Sequence, residues 1–143
     1  MMIYEIQGNP IAWQRARRNG NRYFDAQLNQ KQMYQDIIRI SQASRKAIYS
    51  LSEALIVKIE FHIPIPCSWS LKKRLNANNT PCTKQLDLDN LIKFIGDSLN
   101  KVLWEDDKFI FDVHARKIYS LEPKTIIFVE VYDGKKLSTI IPY

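Results

Sequence analysis

The chain has 143 residues, 45% of them hydrophobic and 25% charged, with a formal net charge of +6. That length suits one domain with a real core, here taken as residues 1–143, and is short for two. The composition excludes a disordered chain, no apolar run approaches the roughly 20 residues of a membrane helix, and the positive charge favours a polyanionic partner.

The amino terminus MMIYEIQGNP lacks the basic and apolar regions of a secretory signal, so the expected setting is the cytoplasm. Thiols stay reduced there, and Cys67 and Cys82 are expected to be free. His62 and His114 do not stand at a spacing that completes a zinc site with them.

Met2 to Gln7 is a β-prone run closed by Gly8-Asn9-Pro10, which predicts a strand and a turn. Ala12 to Phe24 follows with Arg15, Arg17, Arg18 and Arg22 interleaved with Trp13, Tyr23 and Phe24 and no sustained period. It reads as a loop suited to phosphate contacts and base stacking, or as a solvated loop whose aromatics tuck into the core. From Asn29 to Tyr49 a helical period sets Met33, Ile37, Ile40 and Ser44 on one stripe, with Tyr34, Ile38 and Ala47/Ile48 beside it. Asp25 or Asn29 is a candidate cap, and Lys31, Arg39, Arg45 and Lys46 fall on the outer face.

Ala54 to Ile63 alternates, placing Leu55, Val57, Ile59 and Phe61 opposite Lys58, Glu60 and His62, so a half-exposed strand with a surface His62 is expected. Pro64 to Pro81 carries Lys72-Lys73-Arg74 and no periodic signal, which predicts a long loop of the kind that is usually functional or mobile. Leu88, Leu91, Ile92, Ile95, Leu99 and Val102 predict a helix over Leu88 to Lys101. Phe109 to Tyr119 and Thr125 to Tyr132 alternate as strands, and Leu137 to Ile141 is a candidate further strand. Together these elements predict an α/β (α+β) two-layer sandwich, a mixed sheet of four to five strands with two main helices on one face.

Within this basic chain, carboxylates gather at Asp87 and Asp89 before the predicted 88–101 helix and at Glu105, Asp106 and Asp107 after it. Carboxylates gathered against their repulsion need a counter-charge, and oxygen-rich sets suit a hard cation such as Mg2+. Extended backbone at 86–89 would turn Asp87 and Asp89 to the same side. Lys93, one turn after Asp89, is placed to stabilise negative charge on a phosphate in its transition state or to orient the attacking water. Plainer readings stand beside this one. Asp-x-Asp before a helix is often capping, Asp89, Lys93 and Asp97 form a possible surface ion-pair stripe, and Glu105 to Asp107 fit a solvated turn.

The run Asp87-Leu88-Asp89-Asn90-Leu91-Ile92-Lys93, then Asp97-Ser98-Leu99-Asn100, then Trp104-Glu105-Asp106-Asp107 and Ile110, resembles the RusA family of Holliday-junction resolvases, often encoded by phages and prophages. The resemblance implies a RusA-like fold and a homodimeric, Mg2+-dependent endonuclease, with Mn2+ as a possible substitute, that binds branched four-way DNA and makes paired symmetric nicks in recombination and repair. It implies metal carboxylates at Asp87, Asp89 and Asp107, with Asp106 able to stand in for Asp107, and a catalytic lysine at Lys93. Arg15, Arg17, Arg18, Arg22, Lys72, Lys73, Arg74 and Lys84 are the expected DNA contacts. Two rival classes remain open on the residues themselves: a non-catalytic junction or single-strand DNA-binding module, and a hydrolase of small phosphate compounds, which leaves the basic elements unexplained.

Overall fold

A computed structural model describes residues 2–43 and 53–141. Its elements are β1 (Met2–Gln7), β2 (Arg17–Asn19), β3 (Arg22–Phe24), α1 (Leu28–Ala43), β4 (Leu55–Pro64), α2 (Leu71–Ala77), α3 (Leu88–Ser98), a 3-10 turn (Asp107–Phe109), β5 (Ile110–Ser120) and β6 (Lys124–Val131). The predicted helical stretch beyond Ala43, with Ser44, Arg45, Lys46 and Ala47/Ile48, lies outside the described residues.

The four long strands form one mixed sheet in the order β1-β6-β4-β5. β6 runs antiparallel to both neighbours, and β4 and β5 are parallel. A parallel pair requires a long crossover, and residues 65–109 supply it, carrying α2 and α3 on the way. Register aligns Val57 with Val113 and Val129, and Ile59 with Ala115 and Ile127, so the odd residues of β4, β5 and β6 share one face. α1 and α3 pack there, and the core gathers Tyr4, Ile6, Tyr34, Ile38, Phe61, Leu91, Phe94 and Ile127. Tyr34 of α1 meets Phe94 of α3 edge to face at 5.2 Å, and Gln35 Nε2 donates to the Ser98 carbonyl at 2.9 Å. The result is the expected two-layer sandwich with a four-stranded mixed sheet.

Several local expectations are corrected. The arginine-rich segment is not plain loop: it forms the β2–β3 hairpin, turning at Gly20, whose φ of 62° suits a residue without a Cβ. The 64–81 loop contains α2, capped by Ser70 Oγ, which accepts from Lys73 N at 3.2 Å. α2 buries none of its residues, so no apolar period marks it. The helix at 88 ends at Ser98 rather than Lys101, because Lys101 turns left-handed (φ 65°) and donates its N–H to the Trp104 carbonyl at 2.6 Å. His62 is buried rather than on the surface, its Nε2 paired with Glu60 at 2.8 Å. The tail 132–141 adds no strand among the described residues, and Leu137, Ile140 and Ile141 are exposed. Cys67 and Cys82 are free, Cys82 being buried. No helix of the described residues is long and apolar enough to cross a membrane.

Ile127 sits in the middle of this architecture at 0% exposure, paired with Tyr4 on one side and Ile59 on the other. Ile127→Ala should lower the unfolding free energy by about 2–5 kcal/mol, the range for a buried isoleucine truncated to a methyl. Urea titration followed by circular dichroism measures it, and a loss below about 1 kcal/mol would mean that the helix layer does not close over β6.

Candidate active site

α3 carries its charged residues opposite its core face. Leu91, Phe94, Ile95 and Ser98 are buried, while Asp89 and Lys93 are exposed and Asp97 is half-buried. Asp87 holds the N-cap position with extended backbone, yet its side chain makes no capping hydrogen bond. The chain reaches it through Leu86, whose φ of 53° is rare for a leucine and costs about 1–3 kcal/mol. Lys117 of β5 stabilises that kink, its ammonium donating to the carbonyls of Gln85 and Leu86. Lys117 is a residue that the sequence pattern did not single out, because its partners lie 31 and 32 positions away.

At the other end of α3, Asp107 approaches the helix over Gly96. A Cβ built on Gly96 would lie 3.2 Å from Asp107 Oδ2, so any larger residue there would push the carboxylate away. Glycine inside a helix costs about 1 kcal/mol relative to alanine, and the close approach is the structural return. Trp104, buried beneath, donates Nε1–H to the Gly96 carbonyl at 3.2 Å and holds the acidic turn against the helix. Lys93 and Asp107 line one cleft of about 160 Å³ with Ile92, Gly96, Trp104 and Val113.

The two carboxylates of this turn behave differently. Asp106 caps the 3-10 turn, accepting from Lys108 N at 2.9 Å, and that hydrogen bond holds its carboxyl below the ordinary range. Asp107 is pushed up, first by desolvation, then by the hydrogen bond and charge of Asp106 and by the charge of Asp97. Glu105 pairs with Lys101.

None of Asp87, Asp89, Asp97, Asp106 or Asp107 is in an ion pair among the described residues, and neither are the scattered Glu53, Glu122 and Glu130, whereas other carboxylates pair with Lys31, Arg39, Lys101, Arg116, Lys124 and Lys135. The surface ion-pair stripe expected from Asp89, Lys93 and Asp97 is therefore absent. Lys93 Nζ lies instead 3.6 Å from the centroid of the Trp13 ring.

This donor set has the chemistry of a hard-cation site, being oxygen-only and anionic. Its arrangement, however, does not gather three ligands: among the described residues no three His, Cys, Asp or Glu side chains are placed to hold one ion. Asp87 and Asp89 start α3, while Asp107 sits beside Gly96, and eight helical residues span about 12 Å. The structure thus brings together Lys93 and Asp107, with Asp106 and Asp97 close enough to act on Asp107 electrostatically.

The basic residues divide into two groups. Arg15, Arg17, Arg18 and Arg22 are exposed on and beside the β2–β3 hairpin, where Arg18 Nε donates to the Gly20 carbonyl at 2.6 Å and its guanidinium lies over Tyr23. Lys73 and Lys84 flank the Trp69 ring at 4.0 and 5.4 Å. Lys72 is exposed, whereas Arg74 is half-buried and less available than its neighbours. A second cleft, of about 310 Å³, lies on the far face of the sheet among Lys58, Glu60, His114, Arg116 and Phe128. Glu60 is engaged there by Arg116 and His62, so no free carboxylate marks it as a reaction centre.

Ionised Asp107 opposes folding, because its carboxyl is harder to ionise in the folded protein than in the unfolded chain. The penalty is present above the raised folded pKa and vanishes below the unfolded value near 4. In metal-stripped protein, Asp107→Asn should raise the thermal midpoint at pH 7, and the gain should disappear by pH 3. Melting curves of both proteins at the two pH values check this; a mutant no more stable at pH 7 refutes it.

Two comparisons bear on this geometry. The uncharacterized protein YqaN of Bacillus subtilis (strain 168) is 29% identical over 133 residues, covering 88% of this chain and 93% of that protein. The family model described as Endodeoxyribonuclease RusA matches residues 7–130, a span that runs from the end of β1 through the hairpin, α3 and the acidic turn into β6. With most of the chain matched, including every element that carries the unpaired carboxylates and Lys93, the chain belongs to the RusA family of endodeoxyribonucleases.

Proposed function

We propose that the whole chain is a single RusA-like endonuclease domain that resolves four-way DNA junctions as a homodimer, nicking two opposing strands symmetrically in the presence of Mg2+, or of Mn2+ as a substitute. The observation that carries this reading is the set of unpaired carboxylates around α3, beside an equally unpaired Lys93, in a chain of net charge +6. Asp87, Asp89 and Asp107 are the carboxylates proposed for the divalent ion, with Asp106 in reserve; as they stand along α3 they do not converge, so sharing one ion would require them to draw together. That ion supplies Lewis acidity and lowers the pKa of water at neutral pH.

The chain's own residues do the rest. Lys93 offers an uncompensated ammonium to the scissile phosphate, where it stabilises the charge that grows in the transition state. Arg15, Arg17, Arg18 and Arg22 of the hairpin segment, and Lys72, Lys73, Arg74 and Lys84 ahead of α3 in sequence, neutralise backbone phosphates. Cleavage at the 3′-oxygen leaves a 5′-phosphate.

A second reading, a junction-binding module without catalysis, is favoured by one observation: no three ligands converge on one ion among the described residues. A nicking assay on a synthetic four-way junction beside linear duplex, with and without Mg2+, separates the two. Wild type should cut the junction in symmetric pairs only with the divalent ion, and Asp89→Asn should abolish cutting while leaving junction affinity nearly intact. Tight binding with no cuts under any divalent metal would instead establish the binding module.

Hairpin arginines act through phosphate charge. Each phosphate contact contributes about 0.9 to the slope of log affinity against log salt concentration. Replacing Arg17 and Arg22 together by Ala should therefore weaken junction binding and lower that slope by about 2. Fluorescence anisotropy across a salt series measures the slope, and an unchanged value removes the hairpin from the interface.

A further inference from the structure

Lys93 stands on α3 with Asp89 four residues before it and Asp97 four residues after it. Side chains at this spacing meet on a helix surface, and an acid placed before a lysine is the favourable order. Lys93 nevertheless makes no ion pair among the described residues, and its ammonium sits on the face of the Trp13 indole, 3.6 Å from the ring centroid. A neutral ring attracts a cation through its quadrupole without cancelling the charge. A carboxylate in the same place would hold the lysine equally well and neutralise it.

Trp13 itself is fixed at several points. Its backbone N–H donates to the Asn90 carbonyl in the first turn of α3 at 2.9 Å. Gln27, buried at 2% exposure, spans the residues on either side: its Nε2 donates to the Ala12 carbonyl and its Oε1 accepts from Gln14 N, each at 2.9 Å. Asp25 in turn accepts from Gln27 N at 2.8 Å and pairs with Lys31 at 2.6 Å. The indole is half-buried against the core and cannot drift with the surface. Its position relative to α3 is set by the fold.

We propose that Trp13 is a positioning residue for Lys93: the indole face holds the ammonium off Asp89 and Asp97, so that the lysine meets the scissile phosphate with its charge intact and both carboxylates stay free. This rests on the endonuclease reading above. It assigns the tryptophan of the arginine-rich segment to the chemistry rather than to base stacking.

The contact can be read without any activity. In wild-type protein the ε-methylene protons of Lys93, assigned by their loss in Lys93→Ala, should be shifted upfield by the indole ring current; the shift should vanish in Trp13→Leu and persist in reduced form in Trp13→Phe. In single-turnover junction cleavage, Trp13→Leu should slow the cutting step about tenfold with junction affinity unchanged, Trp13→Phe should recover most of the rate, and Trp13→Leu should cost nothing further in a Lys93→Ala background. Equal losses from the Leu variant in both backgrounds, or a Phe variant as slow as the Leu variant, would overturn the proposal. If Trp13→Leu does not fold, the wild-type spectrum and the Phe variant still decide: unshifted Lys93 protons in wild type overturn the proposal whether or not DNA is cut. Shifted protons in a protein that cuts no junction uphold the contact and overturn the endonuclease reading instead.

Discussion

Uncompensated negative charge along one side of α3 is the constraint around which the rest of this molecule is arranged. Carboxylates this close in sequence repel one another, and the Asp107 carboxyl resists ionisation, first through desolvation and then through its acidic neighbours Asp106 and Asp97. Water screens exposed charges, which keeps the cost modest. The remainder is resisted by packing: Leu91, Phe94, Ile95 and Leu99 anchor the opposite side of the helix in the core, and Trp104 holds the acidic turn from below. The apolar side of α3 is what allows its other side to be acidic.

The contrast with the far face of the sheet makes the acidic segment informative. There Glu60 pairs with Arg116, Glu5 with Lys124 and Asp112 with His114. Such pairs are ordinary surface chemistry, individually worth about 0–1 kcal/mol. Glu53, Glu122 and Glu130 are also outside such pairs among the described residues, but they stand alone; in a protein with an excess of Lys and Arg, the five unpaired aspartates Asp87, Asp89, Asp97, Asp106 and Asp107 are set apart by being gathered around one helix. Asp107, whose carboxyl is raised by burial and by its acidic neighbours, lines a cleft with Lys93, and a perturbed group in a cleft is a physical mark of a candidate functional site.

What was legible in the sequence followed periodicity. α3 and the strands β1, β4, β5 and β6 have long apolar repeats that bury one side, and their positions were read to within a few residues. The β2–β3 hairpin has three residues per strand, all exposed, and α2 has seven residues with none buried. Neither element has a buried face, so neither imprints a period. The site divided in the same way. The candidates Asp87, Asp89, Lys93 and Asp107 stand out by residue type and by their resemblance to a family motif. Gly96, Lys117 and Gln27 act through contacts with residues distant in sequence, and His62 was misjudged because its partner, Glu60, is on its own strand but its burial comes from the folded sheet. A spacing rule also misled at Lys93: the i, i+4 geometry is present, but a tertiary contact from Trp13 outcompetes it.

That competition explains why the amino-terminal segment belongs to the site at all. An isolated α3 would let its lysine fall onto its own aspartates, and the local preference of a few tenths of a kcal/mol for such pairs is easily exceeded by a half-buried aromatic face. Gln27 makes the aromatic face dependable. By bonding Ala12 and Gln14 from a position just before α1, it closes the excursion that contains the β2–β3 hairpin. The same clasp therefore orients Trp13 toward α3 and sets where the exposed arginines of the hairpin stand relative to it. The hairpin's exposed arginines and the indole under Lys93 are thus tied to one buried glutamine, so releasing the segment from its place beside α3 breaks hydrogen bonds sheltered from water, where they are costly to lose.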